Sequence, residues 1–172
     1  NEEINLNLGY LKLSYEHPIV RSSLAIGAGS YMVANYAAET GLAKNIFEAT
    51  AGLRLSRKIN LWMDGGIMPS HIGFESAIGK DCPTLTRSLL AENSPYFETG
   101  AKLTYINRDN KWTISGLLLN GWQRIKRQTG NSSLSWGTQI RYSPSEKLVL
   151  NYSTFFGADG PDSIRVRRSF HN

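Results

Sequence analysis

Hydrophobic and polar residues alternate over most of the chain. The pattern is cleanest in residues 134–142, where the positions on one side are Leu134, Trp136, Thr138, Ile140 and Tyr142. A period of two residues is typical of a β-strand with one apolar and one polar face. The same pattern recurs in residues 3–16, 19–36, 46–57, 59–68, 95–106, 112–122 and 148–156. The sequence therefore predicts eight strands.

The segment Pro95 to Trp122 predicts a β-hairpin that turns at Asn107–Asn110. Phe97, Ala101, Leu103 and Tyr105 form its apolar side, and the alternate positions include Glu98 and Lys102. Tyr105 and Trp112 flank the turn, whereas Phe97 and Trp122 stand at the far ends. Aromatic rings at both ends of an apolar band are typical of a barrel strand that crosses a lipid bilayer.

The connections between the predicted strands alternate in length. Short ones fall near residues 16–18, 57–58, 107–110 and 143–147, and long ones at 36–45, 69–94, 123–133 and from 157 onward. This alternation is typical of an up-and-down outer-membrane barrel with short turns on one side and long loops on the other. The predicted fold class is thus an all-β, antiparallel, transmembrane β-barrel. We expect residues 1–172 to form one barrel segment of a longer protein, whose signal peptide has been removed or lies outside this segment.

Composition is compatible with this prediction. No run of 18 apolar residues predicts a transmembrane helix, but a barrel strand needs only about 9 to 11 residues with every second one apolar. The mean hydropathy of -0.31 therefore does not exclude a membrane protein. The formal net charge of +5 does not demand nucleic acid, and the basic run at 124–128 is better explained as a solvated loop. The single cysteine, Cys82, cannot form an intrachain disulfide.

The run NSPYFETGAKLTY followed by GLLLNGWQ, between Ser94 and Gln123, resembles the OmpL-like β-barrel porins, a Bacteroidetes-type outer-membrane family. The preceding GIMPSHIGFESAIGKDCPTLTRSLLAE resembles the strand end and long loop that come before it in that family. The resemblance implies a porin fold and no specific chemistry. Members of the family are usually longer, which implies that this chain is an internal segment with barrel strands missing at both ends.

Inward-facing positions of the predicted barrel give candidate lumen residues: Glu48, Arg54, Asp64, Glu98, Lys102, Gln139, Arg141 and Asn151. They suit a water-filled lumen or a salt-bridged plug, and the sequence leaves both open. The longest loop, 69–94, is expected to contain a short helix at 84–92. Its residues Leu85, Arg87, Leu89 and Glu92 either narrow the pore or lie in a surface loop.

A basic rim is expected in the loop after the central hairpin, at Arg124, Lys126 and Arg127, with Arg165, Arg167 and Arg168 near the end of the chain. These residues either favour anions at the mouth of a pore or contact the phosphates of lipopolysaccharide. Outer-membrane lipid, lipopolysaccharide and small hydrophilic solutes are the expected partners. A homo-oligomer is compatible with the pattern.

Enzymatic readings have little support in the sequence. His17, His71 and His171 are scattered, so neither a metal site nor a cofactor is expected. Ser70 and His71 beside Glu75 suggest a hydrolase only weakly, because adjacent strand residues point to opposite faces. The main prediction is a passive diffusion channel for small hydrophilic solutes or nutrients. The alternatives are a non-conducting barrel whose long loops bind a ligand or partner, and a soluble lipocalin-like barrel.

Overall fold

Nine antiparallel strands form a single sheet in chain order. The computed structural model describes residues 4–82, 84, 86–164 and 166–172. The strands are β1 (Gly9–Glu16), β2 (Val20–Ala28), β3 (Ile46–Arg54), β4 (Asn60–Pro69), β5 (Phe97–Ile106), β6 (Trp112–Leu119), β7 (Ser135–Ser145), β8 (Leu148–Ala158) and β9 (Arg167–His171). Each strand pairs with its sequence neighbours, and the sheet is not closed: β1 and β9 are its two edges. The predicted all-β, up-and-down fold is confirmed.

Short helical elements lie in the connections. They are α1 (Ser30–Asn35), α2 (Leu89–Glu92) and three 3-10 turns at Gly41–Asn45, Gly79–Asp81 and Asp162–Ile164. Among the described residues, no helix is both long enough and apolar enough to cross a membrane. Helical structure is therefore confined to loops.

The second predicted strand, 19–36, was too long. It ends at Ala28, because Gly29 has a φ of 121° and turns the chain into α1. A Cβ at Gly29 would overlap the main-chain oxygen of Asn7, so only glycine fits there. Apolar and polar residues alternate around Met32, so the pattern predicted a strand where the chain is helical.

Two further differences concern the later loops. The helix expected at 84–92 is a single turn, α2, whose start is capped by Ser88 accepting a hydrogen bond from the main-chain nitrogen of Ala91. Pro83 and Leu85 of that prediction lie outside the described residues. The polar tail after Gly157 contains a ninth strand, β9, which pairs with β8.

Strand register gives the sheet an apolar face and a polar face. Large apolar side chains are exposed on the apolar face, including Leu53 (58%), Trp136 (63%) and Leu150 (54%). On the polar face Glu98 is fully buried and Asp64 is 7% exposed. This arrangement is the reverse of a soluble protein and matches a sheet whose outer surface contacts lipid.

Two of the four rings expected at the lipid boundaries lie elsewhere. Tyr105 and Trp112 are partly exposed near the short turn, as predicted, at 36% and 40%. Phe97 is only 2% exposed, because it stacks on Tyr36 with ring centroids 4.1 Å apart. Trp122 packs edge-on against Phe155, at 5.0 Å. Both rings are covered because the long loops fold over the end of the sheet at which they stand.

The long connections 29–45, 70–96, 120–134 and 159–166 meet at one end of the sheet and form a loop cap. Gln123 donates from Nε2 to the main-chain oxygen of Asn35, at 3.1 Å. The main-chain nitrogen of Ile125 donates to Glu39 Oε1 at 2.8 Å, and that of Trp122 donates to Asp159 Oδ1 at 2.9 Å. These bonds connect loops that are far apart in the chain, so the cap is one bonded assembly.

Burial on the polar face predicts a difference between two adjacent leucines of β6. Leu119 is fully buried, whereas its neighbour Leu118 is 40% exposed on the apolar face. We expect Leu119→Ala to lower the free energy of unfolding in lipid vesicles by about 2–5 kcal/mol, because it leaves a cavity. Leu118→Ala should lower the free energy of unfolding by less, since lipid tails fill the vacated space. Denaturant titrations followed by tryptophan fluorescence measure both, and equal losses would contradict the assignment of faces.

Candidate functional site

All eight sequence-predicted lumen residues lie on the polar face, as strand pairing shows. Arg54 stands next to Trp62, Asp64 next to Lys102, and Arg141 between Thr113 and Asn151 in the register. Glu48, Asp64 and Glu98 are buried, the partly buried residues are Arg54, Lys102, Gln139 and Asn151, and Arg141 is exposed near the short turns. Whether they line a water-filled lumen remains a prediction.

One row of paired residues shows how the polar face changes across the sheet. It runs from β1 to β9 through Glu16, Arg21, Gly52, Asp64, Lys102, Leu117, Gly137, Phe155 and Phe170. Its first members are charged and its last members are apolar. The polar face therefore has a charged half on β1–β5 and a mainly apolar half, in this row, on β6–β9.

Two ion pairs organise the charged half. Lys12 Nζ lies 2.7 Å from Glu48 Oε2, which joins β1 to β3. Arg21 donates from Nε and Nη2 to the two carboxylate oxygens of Asp64, at 2.7 and 2.6 Å. The guanidinium of Arg21 also lies over the ring of Trp62, 4.4 Å from its centroid. A bidentate and stacked arginine is held in a fixed orientation.

The charged half borders an open cavity of about 310 Å³, which we call the charged groove. Its lining includes Lys12, Arg21, Glu48, Asp64 and Lys102. The groove is thus a polar space that water or a small solute can occupy beside fixed charges of both signs.

The apolar half is covered by residues Ser70–Ile72, which follow β4 and which we call the inward segment. Ile72 packs in a buried cluster with Met68, Leu117, Leu119 and Phe155. The ring of His71 lies directly over β7, because a Cβ at Gly137 would stand 2.7 Å from His71 Nε2. The inward segment therefore fills the space over β6–β8 and leaves the charged groove open.

Every polar group of His71 is bonded to the sheet. Its main-chain nitrogen donates to Glu98 Oε2 at 3.2 Å, and its Nδ1 lies 2.7 Å from the same oxygen. Its Nε2 lies 2.8 Å from the main-chain oxygen of Thr154. Its own carbonyl accepts hydrogen bonds from Gln139 Nε2 at 2.6 Å and Ser153 Oγ at 2.9 Å. One residue thus connects β5, β7 and β8.

These contacts require a strongly curled sheet. His71 is two residues beyond the end of β4, a reach of at most about 7 Å. In a flat sheet, β4 and β8 would be about 19 Å apart, at the usual strand spacing. Because the short side chain of Ser153 on β8 contacts the His71 carbonyl, the sheet must bend, with the polar face on its concave side.

His71 is positioned to carry a positive charge. Burial lowers its pKa, but the hydrogen bond and the charge of Glu98 outweigh burial, so the pKa is raised above the usual value. The carbonyl of Thr154 only accepts hydrogen bonds, so Nε2 must hold a proton. The positive charge of the nearby Lys102 opposes this effect without reversing it. Both ring nitrogens therefore face acceptors, an arrangement that stabilises the imidazolium form of His71 beside the carboxylate of Glu98.

Of the residues predicted to form a constriction, Arg87, Leu89 and Glu92 lie in the loop that follows β4. Arg87 braces its own loop by donating to the main-chain oxygens of Ser76 at 3.2 Å and Ala77 at 2.6 Å. Leu89 is 83% exposed, and the side chain of Glu92 is half-exposed, 3.6 Å from Arg87 Nη1. Leu85 lies outside the described residues. A role of these residues in narrowing a pore remains a prediction.

Arg124, Lys126 and Arg127 of the basic rim lie in the loop cap, whereas Arg167 and Arg168 begin β9. Lys126 is exposed, and Arg127 donates from Nη1 to the main-chain oxygen of Ser132 at 2.9 Å. Arg124 is half-buried and lines a cavity of about 540 Å³ together with Arg168. Arg165 lies outside the described residues. Anion attraction and contact with lipopolysaccharide both remain predictions for this rim.

Sequence reasoning missed the role of His71. It found no pairing of a histidine with a glutamate, yet His71 and Glu98 pair across 27 positions of the chain. Glu75, the residue considered beside it, instead accepts hydrogen bonds from Ser88. The described residues contain no group of three or more His, Cys, Asp or Glu side chains that could hold a metal ion. One sequence signal could have revealed the role of His71: it lies two residues after the end of a strand whose polar side chains were predicted to face inward.

The charge of His71 predicts that the inward segment loosens at high pH. Since its folded pKa is raised, its stabilising effect is complete below the unfolded pKa of about 6.5 and is lost as pH rises through the folded pKa. Above the folded pKa, His71 is neutral and Glu98 is left buried without a counter-charge. Hydrogen exchange of residues 70–78, corrected for intrinsic rates, should show protection falling as pH rises through the folded pKa, which lies above the unfolded value of about 6.5.

Two variants serve as controls for this pH effect. Glu98→Gln should shift the loss of protection to lower pH, because the carboxylate that stabilises the imidazolium is gone. His17→Gln, in the short turn after β1, should leave the pH profile unchanged. Protection that does not depend on pH in the unmodified protein would contradict the assignment of an imidazolium.

Comparison with family models gives a match over residues 1–172 to the family described as "Putative beta-barrel porin-2, OmpL-like". No curated protein and no solved structure matches the chain.

Proposed function

The chain belongs to the OmpL-like family of β-barrel porins, and we propose that it acts in the bacterial outer membrane as a passive diffusion channel for small hydrophilic solutes or nutrients. One observation carries the proposal: charged and hydrogen-bonding side chains are concentrated on the concave face, opposite a face covered by exposed apolar side chains. An apolar outer surface suits lipid, and a charged concave surface suits hydrated solutes.

Passage through such a channel needs no chemical step. A solute keeps part of its hydration shell while it passes fixed side chains, and pore width and local charge set the selectivity. The inward segment narrows the space over β6–β8, so the charged groove on β1–β5 is the path that we propose for solutes. We assign no catalytic role to His71, because both of its ring nitrogens are bonded to the sheet.

We further propose that these nine strands are part of a larger barrel. In lipid, the unpaired backbone groups of β1 and β9 would have no hydrogen-bond partners, which costs several kcal/mol for each group. Additional strands, from the same protein or from a second copy, would satisfy both edges. Comparing the heat-modifiable gel mobility of the full-length protein with that of residues 1–172 tests this point.

The second candidate is a non-conducting barrel whose loops bind a ligand or partner. The extensive bonding of the loop cap favours it, since loops that are joined to one another can present a fixed binding surface. The same bonding is compatible with the mouth of a channel, so conductance separates the two candidates.

We expect the full-length protein to give stepwise, ohmic current in planar bilayers. The conductance steps should appear only with protein that shows the mobility shift of a folded barrel on unheated gels. A heat-denatured sample from the same preparation is the control. The absence of current from protein that is demonstrably folded would exclude the channel and favour the binding barrel.

Releasing the inward segment should widen the channel. We expect His71→Ala to raise the unit conductance, because it removes both ring contacts to Glu98 and Thr154 and weakens the attachment of Ser70–Ile72. His17→Ala, at the opposite end of the sheet, is the matched control and should conduct like the unmodified protein. If His71→Ala folds and its conductance is unchanged, the inward segment does not narrow the proposed path.

A further inference from the structure

Lys102 stands apart from the other cations of the charged groove. Lys12 and Arg21 each form an ion pair with a carboxylate. Lys102 is partly buried and lines the same groove, but it forms neither a hydrogen bond nor an ion pair with any residue in the described part of the chain. Its ammonium has three donors, and none is used by the protein.

The neighbouring carboxylate in the register does not hydrogen-bond to Lys102. Asp64 is its direct neighbour on β4, but both oxygens of Asp64 are bonded to Arg21. Glu48 is likewise paired with Lys12. A partly buried ammonium is costly unless an acceptor stabilises it, so the groove favours a partner with negative charge.

Neutral donors border the same space. Ser14, Ser23 and Thr50 line the groove, and the hydroxyl of Ser23 is buried without a hydrogen-bond partner among the described residues. Glu16, exposed at the end of β1, also lines the groove. Hydroxyls that line the same groove as an unpaired ammonium give a donor set suited to a carboxylate, while Glu16 can accept a hydrogen bond from a hydroxyl or amino group of the same solute.

We propose that the charged groove is a binding site for small carboxylate-bearing solutes, with Lys102 as the residue that receives the carboxylate. The Arg21–Asp64 pair lines this site, and the ring of Trp62 lies against the guanidinium of Arg21. A cavity of about 310 Å³ is near the lower limit of small-molecule sites, so the solute is small. For solute passage, this inference rests on the proposed channel function. It names small carboxylate-bearing solutes as the class that the channel selects.

Gluconate and glucose test the proposal, because they have the same carbon skeleton and only gluconate has a carboxylate. We expect gluconate, and not glucose, to reduce the chloride-salt current of the full-length protein in planar bilayers. Lys102→Gln should raise the half-blocking concentration of gluconate about tenfold, the effect of losing one charged hydrogen bond. Lys102→Arg should retain the block.

Matched controls separate the site from general charge. Lys111→Gln removes the same charge in the short turn between β5 and β6 and should leave the block unchanged. Thr50→Val removes an uncharged donor from the groove and should weaken the block less than Lys102→Gln does. Equal block in the unmodified protein, Lys102→Gln and Lys111→Gln would overturn the proposal.

A second readout is independent of conduction. Gluconate should change the fluorescence of Trp62 in detergent, as judged by the difference from Trp62→Phe, and Lys102→Gln should abolish the change. If the protein passes no current but this titration saturates, the channel function fails and the carboxylate site stands. If current flows and neither block nor titration depends on Lys102, the channel stands and the site is overturned.

Discussion

Backbone hydrogen bonding between consecutive antiparallel strands is the interaction on which the rest of the structure depends. Each strand pairs with its sequence neighbours, so register passes from strand to strand without a crossover. Along the regularly paired parts of each strand, side chains then alternate between two faces. Because of this alternation, Arg21, Asp64 and Lys102 come from three strands and still share one face. Lipid makes the pairing obligatory, since it offers the backbone no other partner.

The curl of the sheet depends on that pairing and is closely tied to the inward segment. Residue 71 reaches β8 only because the sheet bends towards it, and the bond between His71 and Glu98 keeps the segment on the concave face. A buried ion pair of this kind is expensive to desolvate, which makes it a poor source of net stability. Its value is specificity: removing either partner leaves the other buried and charged, so the segment has one favoured position.

Together the segment and the sheet divide the concave face into two regions of different chemistry. Apolar residues such as Leu119 and Phe155 are sealed under Ile72, whereas the charges near Arg21 and Lys102 stay accessible. In the channel that we propose, the inward segment covers one wall of the concave face, and the wall that remains open carries paired charges. The ammonium of Lys102, which pairs with no described residue, is the exception within that wall, and it is the group that we propose binds a solute.

The sequence by itself determined eight of the nine strands, their two faces and the alternation of short turns with long loops, because a period of two and turn chemistry are local properties. β7 and the hairpin of β5 and β6 were predictable in this way, although Gly29 ended β2 early. Only the tertiary structure decided that Phe97 stacks on Tyr36 and that His71 pairs with Glu98. These contacts join residues far apart in the chain, and they depend on the curl of the sheet and on how the loops fold over its end. Periodicity along a strand carries no information about the curl of the sheet or about how the loops fold.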